Sequence, residues 1–279
     1  MTQSSSREHA ETLHRLHNHA SPLVLVNAWD AVSARVLEQA GASVIATTSA
    51  GMAWSLGYAD GEQVPRDEFV AACARICRLA RVPVSVDIER GFGPDADAVC
   101  GLVRTLINFG VVGVNIEDGT SPDVWRLLAP QAVCERIAAL RVLATQMNVR
   151  LFINARTDAY FATDGFTPSR FDEALRRARL FAAAGADSIF VPGMHQLDEI
   201  ERFTRAIHLP LNVYAGYPGV TAIDALAAAG VRRISLGCGP LQSAVSLLDR
   251  IAAEAFTLGR YDTMTRDMKS AREVNQLFA

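Results

Sequence analysis

Residues 170–192 read RFDEALRRARLFAAAGADSIFVP. A helical pattern rich in Ala, Leu and Arg covers Arg170–Ala184. Gly185 stops it, and a short β-rich run, Ser188–Pro192, follows at once. Glycine at that point supplies the left-handed residue that ends a helix. The same order recurs outward in both directions. The strand runs are Leu23–Ala28, Ser43–Ser49, Pro83–Glu89, Gly113–Asp118, Leu151–Thr157, Ser188–Pro192, Leu211–Ala215 and Arg233–Gly237, which makes eight. Gly41, Gly110 and Gly230 stand where Gly185 stands, and Ala222–Ala229 is a further helical stretch. Strand, helix, glycine, strand is the rhythm of a parallel sheet. Eight such units predict a closed α/β barrel, the (β/α)8 TIM barrel. An open doubly wound sheet lacks support, because no GxGxxG follows the first strand.

The length of 279 residues suits a single barrel, which needs about 250. Residues 1–279 therefore read as one domain with two additions. Residues 7–19 predict a helix across the barrel floor. The segment Pro240–Ala279 is longer than one barrel helix requires, and such a tail docks on a neighbouring subunit or packs on its own barrel. Half the residues are apolar and a fifth are charged, enough for a large core. The net charge of -3 excludes a strongly basic nucleic-acid binder. No apolar run approaches the roughly 18–20 residues of a membrane span. Met1–Pro22 is polar, holds four of the six histidines and has no signal-type stretch, so a cytoplasmic location is expected. Five cysteines occur without a CxxC pair, and Cys73 and Cys77 read as small buried hydrophobes.

Side chains alternate along a strand, so residues two apart share a face. In the third strand Val84, Val86 and Ile88 would pack on helices, while Ser85, Asp87 and Glu89 would point inward. The fourth strand pairs Asn115 with Glu117, the fifth Asn154 with Arg156, and the seventh Asn212 with Tyr214. These polar groups lie near the C-terminal strand ends, the face where such barrels carry active sites. Asp87, Glu89 and Glu117 would converge on one corner, where like charges cannot all ionise without a cation. A divalent metal or an ion-pair network with Arg156 answers that. Oxygen ligands without histidine favour Mg²⁺, with Mn²⁺ possible in its place, over zinc. Arg156 suits a substrate carboxylate or phosphonate, or an internal salt bridge to Asp158 or Glu117. The turn Thr47-Thr48-Ser49-Ala50-Gly51 is small and rich in donors that can cradle an anion. Cys238, in Leu236-Gly237-Cys238-Gly239-Pro240, reads as a small residue at a tight turn or as an acid reaching the pocket.

Taken in order, these segments resemble the isocitrate lyase / phosphoenolpyruvate mutase superfamily. Asn27-Ala28-Trp29-Asp30-Ala31 is similar to its opening strand and helix start, and Thr48-Ser49-Ala50-Gly51 to its substrate-anchoring turn. Ser55-Leu56-Gly57-Tyr58-Ala59-Asp60-Gly61 is similar to the loop that carries an acid over the site. Asp87-Ile88-Glu89-Arg90-Gly91-Phe92-Gly93 resembles its metal motif, with Glu89 where many members have Asp. Gly113–Asp118 and Asn154–Asp158 complete the set. The resemblance implies Mg²⁺, small 2-oxo or 2-hydroxy acid substrates, and helix-swapped homodimers often paired into homotetramers. It implies that Asp87 is the main metal ligand, with Glu89 and Glu117 bound through water. Ser49, Ala50 and Gly51 would hold the 2-oxo carboxylate, near Trp29. Asp60, Glu117 and Arg156 would serve catalysis, Arg156 would hold the second anionic group, and Asn212 would line the site.

Departures narrow the chemistry. The lyases carry a Lys-Arg/Lys-Cys-Gly-His loop after the fourth strand. Here Gly119-Thr120-Ser121-Pro122-Asp123-Val124-Trp125 has no Cys, Lys or His, nor the Asn usual in the mutase branch. Val191-Pro192-Gly193 lacks the glutamate of the lyase branch. The expectation is a Mg²⁺-dependent lyase working through an enolate, by C–C cleavage or oxaloacetate-type decarboxylation. Phosphonopyruvate hydrolysis, phosphoenolpyruvate mutase-type P–C chemistry and a non-catalytic 2-oxo acid binding protein are the alternatives.

Overall fold

The computed structural model describes residues 3–120, 126–162, 169–217, 219 and 221–279. Its strands are β1 (Leu23–Leu25), β2 (Ile45–Ala46), β3 (Val84–Asp87), β4 (Val111–Glu117), β5 (Phe152–Arg156), β6 (Ser188–Phe190), β7 (Leu211–Tyr214) and β8 (Arg233–Ser235). All pair in parallel, in the order β1-β8-β7-β6-β5-β4-β3-β2. The remaining seam, between β1 and β2, is made just beyond the strands. There Ala28 N donates to Ala46 O at 2.8 Å, and Thr48 N donates to Ala28 O at 3.1 Å. The Asn27 side chain spans the same seam by donating to Thr47 O at 2.8 Å. The eight parallel strands with helices between them form the expected (β/α)8 barrel.

Helix ends follow the local chemistry. Gly41, Gly110, Gly185 and Gly230 all have positive φ, between 93° and 110°, each just past a helix. Asp30 caps α2 (Ala31–Gln39), its carboxylate accepting from Ser33 N at 2.7 Å. Asp95 caps the helix Ala96–Asn108 and Ser169 caps Arg170–Ala184 in the same way. Each side-chain cap satisfies an amide that the helix cannot.

The outward strand side chains, such as Val84, Val86, Val114, Ile116 and Ile153, are fully or almost fully buried against the helices. The barrel interior is different, because polar side chains fill it and bond one another. Asn115 Oδ1 accepts from Asn154 Nδ2 at 2.9 Å and from Arg233 Nη2 at 3.0 Å. Ser188 donates to Asn154 Oδ1, and Ser235 donates to Asn212 Oδ1. Burial of so many polar groups is tolerable only when they pair with each other.

The floor helix α1 (Gln3–His17) closes the N-terminal end of the barrel. Ala10 and Leu13 are fully buried among Leu23, Leu25, Val44, Ala46, Val112 and Phe152. Gly113 makes room for this plug: a Cβ there would stand 2.7 Å from Leu13 Cδ2. His17 stacks on Phe152 at 3.9 Å, and its Nδ1–H donates to Leu13 O at 2.8 Å. Burial, with the Arg233 cation nearby, pushes the His17 imidazole from its ordinary 6.5 down to about 3. Below pH 6.5 the unfolded chain therefore binds a proton that the native chain refuses, so stability falls with falling pH. One such group costs about 1.4 kcal/mol per pH unit until pH nears 3. Urea unfolding of wild type and His17→Leu from pH 7 to 4 should show a steeper acid loss in wild type. Parallel curves would refute this account of the floor helix.

At the other end, α10 (Gly239–Ala253) buries none of its residues in the single chain. Val245, Leu247 and Leu248 stand exposed on it, as do Phe256 and Leu258 just after. The last helix, Ala271–Gln276, returns to the barrel: Leu277 is buried and its carbonyl accepts from Arg35 Nε at 2.6 Å. Among the described residues no helix is long and apolar enough to cross a membrane.

Candidate active site

The C-terminal ends of the strands surround a cavity of about 280 Å³. Its lining includes Ser49, Ala50, Asp60, Asp87 and Arg156, five residues singled out from the sequence. Asn27, Thr47, Thr48, Asn115, Tyr214, Ser235 and Cys238 add polar groups, and Phe161, Phe190 and Pro192 add an apolar wall.

β3 ends at Asp87, which it delivers to the cavity. One carboxylate oxygen, Oδ2, accepts from Ser49 Oγ at 2.9 Å and from Ser49 N at 3.3 Å. Asp87 N in turn donates to Thr47 Oγ1 at 2.9 Å. The other oxygen, Oδ1, is buried without a hydrogen-bond partner. The turn after β2 is thus tied to the end of β3, and α3 (Ser49–Ser55) starts from that tie.

Glu89 lies beyond β3, in the left-handed region at φ 48°. The turn that follows is strapped from several sides. Glu62 accepts from Phe92 N at 2.7 Å and pairs with Arg90 at 2.9 Å. Arg136 donates to Arg90 O and Pro94 O. Gly91, at φ 108°, faces Val99 so closely that a Cβ would come within 2.4 Å of it. Glu89 is held almost fully buried by this turn. Burial, then Asp60 and Asp87, push its carboxyl up to about 8. Burial and then Asp87 also raise the Asp60 carboxyl.

Arg156, at the end of β5, is gripped from behind. Its Nε donates to Asp158 Oδ1 at 2.7 Å and its Nη1 lies 2.9 Å from Glu117 Oε2. Its guanidinium carbon stands 5.6 Å over the Phe190 ring. Burial pushes the Glu117 carboxyl up against the pull of Arg156. Behind this pair, Asp118 accepts from Asp158 N and from Arg177, so the rim of β4 and β5 is cross-braced.

Five further candidates, Glu89, Glu117, Asn212, Trp29 and Gly51, fall around this cavity without lining it. Glu117 and Glu89 stand behind Arg156 and Asp87. Asn212 is fully buried under Ser235. Trp29 and Gly51 pack on each other at the edge: a Cβ on Gly51 would stand 3.0 Å from Trp29 Cβ. Of the stretch Gly119–Trp125, Ser121–Trp125 lies outside the described residues. Sequence reasoning passed over Arg233, fully buried beneath Asn115, and read Thr47 as part of a donor-rich turn, whereas its hydroxyl accepts from the Asp87 backbone N–H. The double arginine at 232–233 was the available signal, since neighbouring residues entering a strand point to opposite faces and one of the two then turns inward.

A family model, phosphoenolpyruvate phosphomutase, matches residues 13–256. The chain belongs to this family. The phosphomutase-family chain is 36% identical over 230 residues to an uncharacterized protein of Mycobacterium tuberculosis, covering 82% of this chain and 83% of the other. It is 29% identical over 221 residues to an oxaloacetate decarboxylase of Bradyrhizobium sp., covering 77% and 74%. In fold, the phosphomutase-family chain matches the structure of oxaloacetate acetylhydrolase in complex with the product oxalate, with a TM-score of 0.85 at 20% identity, over 98% and 93% of the two chains. The family includes lyases and mutases, so the chain is an enzyme of that kind by membership.

Proposed function

We propose that the protein is a divalent-metal-dependent lyase that breaks a C–C bond in a small 2-oxo diacid, with decarboxylation of oxaloacetate as the reaction that its site suits best. The observation that carries this reading is the pairing, across one small cavity, of an unpartnered buried carboxylate oxygen on Asp87 with the braced guanidinium of Arg156. The relationship to an oxaloacetate decarboxylase supports it.

The donor set fits a hard cation. Among the described residues no three His, Cys, Asp or Glu stand close enough to hold an ion directly. Asp87 and Asp60 each leave one buried carboxylate oxygen without a partner at the cavity, and the mutual repulsion that raises the Asp60, Glu89 and Glu117 carboxyls beside Asp87 is what a bound cation would relieve. Such a corner suits Mg²⁺, which keeps several waters and takes one or two carboxylates. Asp87 would hold it, with Glu89 and Glu117 reached through water. When bound it would draw electron density from the 2-oxo acid and so stabilise the enolate.

The chain's own groups do the rest. Ser49 and the Ala50–Gly51 backbone would hold the 2-oxo carboxylate. Arg156 would take the distal carboxylate on its Nη2 edge, because Glu117 and Asp158 occupy Nη1 and Nε. Phe161, Phe190 and Pro192 would exclude water beside the bond that breaks. Asp60, with its raised carboxyl, would close the site from the turn after α3. A panel of oxaloacetate, phosphonopyruvate and 2-methylisocitrate with Mg²⁺, read as pyruvate, phosphate and succinate, tests the reading. Pyruvate from oxaloacetate is the expected result, and no turnover of any of the three would overturn it.

We also propose that the exposed face of α10 is covered by a second copy, in a helix-swapped homodimer or a pair of such dimers forming a homotetramer. Large exposed apolar patches mark association sites. Sedimentation at micromolar concentration should show a dimer or larger, and a monomer would sink the proposal. A cytoplasmic site of action goes with a reading built on small soluble acids.

A further inference from the structure

The cavity wall contributed by β8 and the turn after it runs through Ser235 and Gly237 to Cys238. We propose that Cys238 is the proton donor that quenches the enolate, an inference that rests on the lyase reading above.

In oxaloacetate the C3–C4 bond breaks, CO₂ leaves and its bonding pair stays behind as the enolate. A C–H bond then forms at C3 with the Cys238 S–H proton. The S–H pair remains on sulfur, and the thiolate takes a proton back from water. No oxidant, reductant or co-reactant is consumed.

Four observations support this role. The thiol lines the same cavity as Asp87, whose Oδ1 is more than nine-tenths buried and unpartnered, so both face the space a ligand would fill. Three hydroxyls lining the cavity have their protons committed, Ser49 Oγ to Asp87, Ser235 Oγ to Asn212 and Tyr214 Oη to Gly216 O at 3.1 Å, and the other two, on Thr47 and Thr48, are alcohols and far weaker acids than a thiol. Among the described residues that line the cavity there is no histidine or lysine. Cys238 immediately precedes the 15-residue helix α10, so its thiol is fixed at the junction of the β8 wall and that helix.

Tyr214 is a positioning residue for this thiol. Its oxygen lies 3.9 Å from Cys238 Sγ and, with its own proton given to Gly216 O, can only accept. The ring is fixed by close packing. A Cβ on Gly216 or on Gly237 would come within 2.6 Å of it. In the resting site the thiol proton is thus held against the cavity wall until a stronger acceptor arrives.

The test follows the methyl protons of pyruvate in D₂O by NMR, with Mg²⁺ and the full chain. Exchange reads enolate protonation without any C–C cleavage. Wild type should exchange, Cys238→Ala should lose about a hundredfold or more, and Cys238→Ser should fall between them. Calorimetric binding of oxalate should stay within about twofold in both variants, showing an intact cavity. Exchange in Cys238→Ala within about threefold of wild type would overturn the proposal, as would wild-type exchange no faster than Mg²⁺ buffer. Oxaloacetate cleavage by wild type is scored separately. Its absence with thiol-dependent exchange intact would sink the lyase reading and leave the proton donor standing.

Discussion

Asp87→Ala should lower oxaloacetate turnover by about a thousandfold or more, because it removes the unpartnered carboxylate oxygen that β3 delivers to the cavity. A metal's share in stabilising a developing enolate is several kcal/mol, and each 1.4 kcal/mol is a factor of ten in rate. The fold should survive. The variant loses the Ser49 hydrogen bonds to Oδ2, roughly 1.5–3 kcal/mol each at most for bonds to a charged acceptor. It also relieves the repulsion that Asp87 exerts on Glu89 and Asp60. Thermal melts with and without Mg²⁺ separate the two effects. Wild type should gain stability on adding the ion, and Asp87→Ala should not. An Asp87→Ala protein that keeps full Mg²⁺-stimulated turnover would show that the corner is not the metal site.

Arg156→Lys should weaken a diacid far more than a small mono-anchored acid. Lysine keeps the charge but loses the planar fork, and with it the simultaneous grip on Glu117, Asp158 and a ligand. A charge-assisted hydrogen bond is worth roughly 1.5–3 kcal/mol, so diacid binding should fall about ten- to a hundredfold. Oxalate, which needs mainly the metal and the Ser49 turn, should change less. Calorimetry with 2-oxoglutarate and with oxalate on both proteins checks this. Equal losses would mean that Arg156 only braces β4 against β5, and the diacid reading would fall with it.

The barrel was legible because two signals agreed: runs of alternating or apolar residues, and glycines where each helix must stop. The inward face of β3 and β5 followed from parity alone, which put Asp87 and Arg156 where the structure has them. Parity failed where a strand ended early. The run Ser43–Ser49 reads as seven residues, but only Ile45–Ala46 is strand, because Ser49 bonds Asp87 and opens a helix instead. Glu89 is oriented by a left-handed turn that a period of two cannot foresee. Arg233 was missed because a buried guanidinium makes sense only once Asn115 is seen beside it. The bracing of Arg156 through Asp158, Asp118 and Arg177 joins residues up to 59 apart, a separation that no local pattern encodes.

One feature of the chain ties the inside of the barrel to its outside. Gly239, the first residue of the exposed helix α10, is also the next residue after Cys238, and Gly216 packs directly on it. The wall of the pocket and the apolar outer helix are therefore one continuous piece of backbone. A second copy docked on that helix, as proposed above, would bear on the same backbone that carries the wall. Thermodynamic linkage would then run both ways: by whatever factor assembly changes ligand affinity, a bound acid would change the stability of the assembly. Specific activity would then become a function of protein concentration.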